Sequence, residues 1–375
     1  MNVIIKLDTF VYLFFFLISF CKGLSLEFDS KLYLLIYTLG LILACFRLIK
    51  LKYQKREIIN VGILLVVGML VFFVSNETTV LFTAIALMFL KNIDIKKLIS
   101  TLFLSRLMAF ILMLVASIIG IIDMNEVSFY RSSIGGFVTR YSFGYSTPNL
   151  THSTFNLIVM MYLYLFFEKI NIKTIIVVFF MNIMLYRFTD SRTGFYVLII
   201  IVVLFYFVKK LKKVREKIPT ILNVLFLVLI LISFLVTYMY GKVNWVYNLD
   251  ELLTGRIRYM SITFNNYQPG LINKNDYSRI IFDNGFFDLI YKSGILAFIW
   301  FVVVQIKTNN YIKSNKLYKE AILTCTFFIY SFFESYYASS IMNISLIFFM
   351  YVLFSQKNKM GEVKSEKSID NNSSL

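Results

Sequence analysis

Apolar runs long enough to cross a bilayer recur along nearly the whole chain, and no other feature narrows the fold so far. A helix needs roughly 17–25 apolar residues to span the hydrocarbon core. Within that core only helices and closed barrels satisfy their own backbone hydrogen bonds. The runs here are continuous, with no alternation of period two, which excludes a membrane β-barrel. Read between charge clusters, they fall at 4–21, 32–49, 58–75, 78–91, 98–122, 154–168, 172–189, 194–208, 219–240, 285–306, 320–335 and 339–355. The expectation is an all-α polytopic integral membrane protein of about twelve transmembrane helices, with a large outer loop between the ninth and the tenth. One membrane domain covers 1–355, with a polar cytoplasmic tail at 356–375. Only 16% of residues are charged, where a soluble domain carries roughly 25%. That excludes an ordinary cytosolic enzyme and a disordered chain. Cys21, Cys45 and Cys325 stand apart from one another, so neither a disulfide framework nor a metal cluster is expected.

The net charge of +17 is explained by its placement. Lys6, the 47–56 cluster, Lys91, Lys96, Lys97, Lys169, Lys173, the 209–217 run, the 307–319 lysines and the tail hold 25 of the 38 basic residues. All fall on alternate connections. By the positive-inside rule this side is cytoplasmic and both termini lie inside. No nucleic acid is needed to account for the charge. The opposite side has two long segments, 123–153 and 241–284. It carries Arg131, Arg140, Arg187, Arg192, Arg256, Arg258 and Arg279, seven of the eleven arginines, but only five of 27 lysines. The topology rule disfavours positive charge there, so something else keeps arginine. Its planar fork grips phosphate or carboxylate in bidentate fashion. Phosphate recognition and loop salt bridges to Asp190, Asp250, Glu251, Asp276 and Asp283 both fit the charge count.

Four outer stretches carry polar chemistry. Arg140-Tyr-Ser-Phe-Gly144-Tyr-Ser-Thr-Pro148-Asn149-Leu-Thr-His152 leads into the sixth span. Thr147, Asn149 or Thr151 can cap that helix, whose N-terminus is a natural anion site. His152 is the only histidine. Arg187-Phe-Thr-Asp190-Ser191-Arg192-Thr193-Gly194 makes a short turn between two apolar helices, where polar groups are costly unless used; Ser191 or Thr193 can cap the second. Leu253-Thr-Gly255-Arg256-Ile-Arg258 lies in the largest loop, and Asp283-Asn284-Gly-Phe-Phe-Asp288 opens the tenth span. Glu334 near the outer end of the eleventh span and Arg106 in the fifth are intramembrane charges, which are functional candidates by default; Arg106 is also long enough to snorkel toward the inner surface. The chain has no P-loop, dinucleotide fingerprint or zinc spacing.

In their order and sidedness these motifs resemble the Wzy-type polysaccharide polymerases of the O-antigen ligase/polymerase superfamily, over residues of about 100–355. The matching elements are Gly144 to Asn149 before a central helix, Ser191 to Gly194, Thr254-Gly255-Arg256 in a large outer loop, and Asp283-Asn284. Where many relatives carry His directly before Pro-Asn, this chain has Thr147. The resemblance implies a bacterial cytoplasmic-membrane enzyme working on the outer leaflet without a cofactor. It would transfer a glycan from polyprenyl (undecaprenyl) diphosphate to a sugar hydroxyl of a new lipid-linked repeat unit, alongside flippase and chain-length regulator proteins. The implied catalytic set is Asp190, Arg192, Arg256, His152 and Asp283. Arg140, Asn149, Arg187, Arg258, Arg279 and Glu334 are implied in binding diphosphate or glycan. Preorganised arginines would stabilise charge developing on the leaving diphosphate, and Asp190, Asp283, His152 and Glu334 are the candidate bases. A lipid-linked oligosaccharide flippase and an O-antigen-type ligase are the competing readings.

Overall fold

The computed structural model describes residues 2–26, 30–131, 135–253, 255–274 and 282–354. Arg279, Thr254 and the tail from 355 lie outside the described residues. The chain is predominantly helical. The first five helices are α1 (Asn2–Gly23), α2 (Lys31–Lys50), α3 (Lys55–Ser75), α4 (Thr79–Met88) and α5 (Ile95–Ile118). They are followed by a hairpin of β1 (Glu126–Arg131) and β2 (Gly136–Tyr141). The chain continues through α6 (Pro148–Leu165), α7 (Ile172–Thr189), α8 (Arg192–Lys210) and α9 (Lys212–Met239). Two helices, α10 (Asn244–Leu252) and α11 (Arg256–Asn266), lie in the large loop. The last part comprises α12 (Gly285–Asp288), a π-helical turn at Leu289–Ser293, α13 (Ile295–Ser314), α14 (Tyr318–Phe333) and a 3-10 stretch, Ile344–Phe349, running into α15 (Met350–Leu353). Seven helices, α2, α3, α5, α7, α8, α9 and α13, are long and apolar enough to cross a membrane.

Polar side chains placed just before apolar runs start the helices. Asp94 Oδ1 accepts from Lys97 N at 3.0 Å and Asn171 Oδ1 from Thr174 N at 3.0 Å, each filling one of the orphan donors of a first turn. The apolar faces pack α1 against α2 and α5, α3 against α4, and α9 against α14. At the lysine-rich end, two buried ion pairs tie the helices together. Arg47 Nε meets Asp8 Oδ1 at 2.7 Å, its Nη2 donates to Lys91 O at 2.5 Å, and Lys91 Nζ meets Glu57 Oε2 at 2.5 Å.

Three features correct the simple bundle expected from the apolar runs. First, the 123–153 segment holds a two-stranded antiparallel hairpin, with Glu126 opposite Tyr141 and Arg131 opposite Gly136. The chain is all-α apart from this one hairpin among the described residues. Second, the tenth apolar run is broken by the π-helical turn and by Gly294 at φ 96°. Third, the connection from 334 to 343 is not a regular helix, yet much of it is buried. Its backbone groups are satisfied from neighbouring elements, as buried irregular backbone requires. Thr83 Oγ1 donates to Ala338 O at 2.7 Å and accepts from Ser340 N at 3.0 Å, and Asn343 Nδ2 donates to Tyr337 O at 2.9 Å.

Candidate functional site

At the arginine-rich end the motifs assemble into two side-chain clusters. The first joins the hairpin, α6, α7 and α8. Gly144, at φ 81°, turns the chain into α6 with Met113, Ile122 and Ser117 so close that a Cβ would sit 2.8 Å from the Met113 methyl. Thr147 is the residue that caps α6, its Oγ1 accepting from Leu150 N at 3.1 Å, and Pro148 occupies the first turn. Proline is tolerated there because its missing N–H would have had no partner. Asn149 and Thr151 are otherwise engaged. Asn149 Oδ1 accepts from Arg140 Nη2 at 2.6 Å, and Thr151 Oγ1 donates to Ser142 O at 2.6 Å. Arg140 Nε also donates to Thr189 O at 2.7 Å, so this arginine ties β2 to the ends of α6 and α7.

His152 is fully buried, one turn into α6. Asn182 Nδ2 donates to Phe195 O at 3.1 Å, which turns Asn182 Oδ1 toward His152 Nε2, 2.8 Å away. Nε2 therefore carries the proton. Nδ1 lies 3.1 Å from Thr189 Oγ1, whose hydroxyl is also 2.9 Å from Leu185 O. Both nitrogens face neutral partners in a fully buried site, which disfavours the charged form of the ring. Gly194 explains the end of the Ser-Arg-Thr-Gly motif. A Cβ there would lie 2.8 Å from His152 Cδ2 and 2.9 Å from Cγ, so only glycine lets α8 start against the imidazole. Two motifs separated by some 40 residues of chain are one packing unit.

The turn between α7 and α8 sits at the rim of this cluster. Asp190 ends α7 in the left-handed region, φ 42°, and the Tyr186 hydroxyl hydrogen-bonds to it. Neither Ser191 nor Thr193 caps α8, and among the described residues no side-chain hydrogen bond to its first-turn N–H groups is made. Arg192, half-buried, makes no hydrogen bond or ion pair with any described residue, and it does not form the expected pair with Asp190. Arg187 is exposed and likewise without an ion pair among the described residues.

The second cluster is built on Asn284. This buried amide accepts through Oδ1 from Phe286 N and Phe287 N at 3.0 and 3.1 Å, and donates through Nδ2 to Ser233 Oγ at 2.9 Å and Phe332 O at 3.0 Å. Gly285 then lies directly on the 334–337 backbone, where a Cβ would be 2.7 Å from Tyr337 Cβ. Asp283 and Glu334 are brought to Arg256 as a result. Arg256 is 5% exposed. Its Nε lies 3.5 Å from Asp283 Oδ2, its Nη2 3.4 Å from Glu334 Oε1, and its Nη1 donates to Phe333 O. Burial opposes its charge, but Glu334 and Asp283 outweigh that and hold its pKa above the ordinary value. This guanidinium is neutralised from within. The start of α11 is filled too, because Asp250 Oδ1 accepts from Ile257 N at 2.7 Å and Arg258 N at 3.0 Å. The first-turn backbone donors beside Gly255-Arg256 are therefore taken by Asp250. Arg258 is exposed, with its guanidinium 5.3 Å from the Tyr259 ring centroid.

Buried Tyr330 stands between the clusters. It faces Ser153, beside His152, on one side and Glu334 and Arg256 on the other. Asn182, Thr189 and Tyr330 were not singled out by sequence, Asp250 entered only as a salt-bridge partner and Asn284 only as part of the Asp283-Asn284 motif. Asn182 had a readable signal, a lone amide in the apolar run 172–189. Tyr330 had none in a chain of 25 tyrosines. Among the described residues no three of His, Cys, Asp and Glu converge to hold a metal. Comparison with protein-family models, curated proteins and solved structures returns no match to this chain.

Proposed function

We propose that the chain is a membrane-embedded glycosyltransferase that polymerises polyprenyl-diphosphate-linked oligosaccharide units on the outer leaflet of the bacterial cytoplasmic membrane. In this reading it has twelve spans and both termini inside. The observation that carries the reading is the contrast among its arginines. Arg256 is neutralised by two carboxylates, whereas Arg192 opens α8, whose N-cap Ser191 makes no side-chain cap bond, and Arg187 lies in the last turn of α7, each without an ion pair among the described residues. Free backbone donors, the helix dipole and two guanidinium groups form an anion receptor. A diphosphate is the anion that the resemblance to Wzy-type polymerases supplies.

The reaction breaks the bond between the anomeric carbon of the growing glycan and the diphosphate oxygen. The electron pair leaves with the polyprenyl diphosphate. A hydroxyl of the incoming unit forms the new glycosidic bond and loses its proton to a nearby base. Arg192 and Arg187 favour the leaving group because its charge is greater in the transition state than in the bound donor. Asp190, beside Arg192 in the chain, is the first base to test, with Asp283 next. His152 is enclosed by Asn182, Thr189 and Gly194 and serves to fix α6, α7 and α8 around the receptor. Arg140 with Asn149 fixes the hairpin over it.

The deciding experiment uses purified protein in phospholipid nanodiscs with a synthetic lipid-linked repeat unit. A ladder of lengthening glycans with release of polyprenyl diphosphate supports a polymerase. Transfer only to a different lipid acceptor would indicate a ligase. Transbilayer movement in proteoliposomes without a ladder would indicate a flippase.

A further inference from the structure

Arg106 belongs to neither cluster. It lies in the middle of α5, eleven residues from Ile95 and twelve from Ile118, and it does not snorkel to a surface, being 1% exposed. Its Nη2 donates to Ile341 O at 3.3 Å, and its Nη1 is buried without an acceptor. No described carboxylate pairs with it. The polar groups around it are the hydroxyls of Tyr145, Tyr33 and Tyr336. Arg47, Glu57 and Lys91, buried at the other end of the bundle, have ionic partners, so Arg106 is unlike them. A buried guanidinium held by one long hydrogen bond to a carbonyl is costly. Such a residue is best explained by an anion that completes it.

The surroundings give that anion a position. α1 ends at Gly23 against Arg106, where a Cβ on Gly23 would be 3.2 Å from Arg106 Cδ. The Tyr145 hydroxyl donates to Gly23 O at 2.7 Å. Beyond this level α5 continues for twelve more residues, about 18 Å at 1.5 Å per residue. Arg106 therefore lies deep beside α5 but level with the end of α1, next to the connection to α2. It also adjoins the second cluster. Tyr336 stacks on Tyr330 with ring centroids 6.3 Å apart, and Tyr330 neighbours Arg256 and Glu334.

We infer that Arg106, with Tyr33, Tyr145 and Tyr336 around it, is a second phosphate-binding site, one that takes the diphosphate of a polyprenyl-linked substrate beside the end of α1. The inference rests on the polymerase reading for the ligand's identity. That reaction joins two diphosphate-linked lipids and so needs two anion receptors, and the α8 start supplies only one. Two phosphate sources share the chemistry, a polyprenyl diphosphate and an ordinary anionic phospholipid.

The test titrates undecaprenyl diphosphate into the full chain in phosphatidylcholine nanodiscs, reading stoichiometry and affinity. A parallel arm uses nanodiscs containing phosphatidylglycerol. Wild type should bind two molecules per chain. Arg106→Gln and Arg192→Gln should each bind one, the lost site weakening at least tenfold, and the double variant none. An Arg106→Gln protein with two sites of wild-type affinity overturns the inference. Glu27 and Asp29 lie outside the described residues; were either the true partner of Arg106, this would be the result. Full occupancy by phosphatidylglycerol at the Arg106 site, with no further binding of undecaprenyl diphosphate, overturns the substrate assignment. If Arg106→Gln does not fold, Ser25→Cys in a chain with its three native cysteines replaced supplies the answer. Undecaprenyl diphosphate should slow its labelling by a thiol reagent at least fivefold, and an unchanged rate overturns the inference. Two intact sites in a protein that makes no polymer would instead overturn the polymerase reading and leave the anion site standing.

Discussion

Gly194→Ala is the perturbation that most directly probes the first cluster, because its cost can be traced to one contact. The added methyl would sit 2.8 and 2.9 Å from two ring carbons of His152 and 3.0 Å from Ser191 Oγ. Ser191 Oγ ends a short side chain that can rotate away. The imidazole cannot, since Asn182 and Thr189 hold its two nitrogens. Overpacking of this kind costs about 1–3 kcal/mol. His152→Ala alone removes the ring and leaves Asn182 Oδ1 and the Thr189 hydroxyl without it, again about 1–3 kcal/mol for unsatisfied buried groups. In the double variant the methyl has room, so its own penalty should vanish. The expected coupling is therefore favourable by about 1–3 kcal/mol. The assay is unfolding in mixed micelles by titration with dodecyl sulfate, applied to wild type, both single variants and the double variant. Costs that add to within about 0.5 kcal/mol would refute the claim that Gly194 exists to admit His152.

The two arginine environments predict opposite phenotypes. Arg192→Lys should fold normally and lose most transferase activity, measured as initial rate at matched protein level, because a point charge replaces the fork. Arg256→Gln should instead lower stability by about 3–5 kcal/mol, the usual cost of stranding a buried partner, read in the same micelle titration; normal stability would mean that Glu334 and Asp283 do not depend on it. Asp190→Asn should cut the rate by roughly 10²–10⁴-fold if Asp190 is the base, and a rate within about threefold of wild type would pass the role to Asp283. In a cysteine-free background, a cysteine at Asn266 should react with an impermeant reagent on intact cells and one at Lys213 should not. The reverse pattern would overturn both the orientation and the outer-leaflet reaction.

What could be read without coordinates follows from what a one-dimensional pattern encodes. Apolar length and the punctuation of Ser30, Asp94, Thr147 and Asn171 are local signals, and helices begin at or beside each of them. The hairpin also had a local signal, Gly135-Gly136 between β-branched and aromatic residues, but the bilayer-length runs on either side outweighed it. The break in the tenth span had only Gly294 as a signal, and the irregular 334–343 connection had none comparable. Their backbones are set by Thr83 and Asn273, side chains distant in the chain. The same limit applied to the arginines. Loop counting separates arginine from lysine, but it does not distinguish an arginine held by carboxylates from one left open. Arg256 lies 27 residues from Asp283 and 78 from Glu334, and it is paired with both. Arg192 lies two residues from Asp190, and it is not paired with it. Asp190 is turned into the left-handed conformation at the end of α7 and toward Tyr186, while Arg192 begins the next helix. Sequence proximity was therefore the wrong guide to charge neutralisation. Among the described residues, lack of a carboxylate partner in three dimensions is the ground on which Arg192 and Arg106 are proposed as anion receptors and Arg256 is set aside.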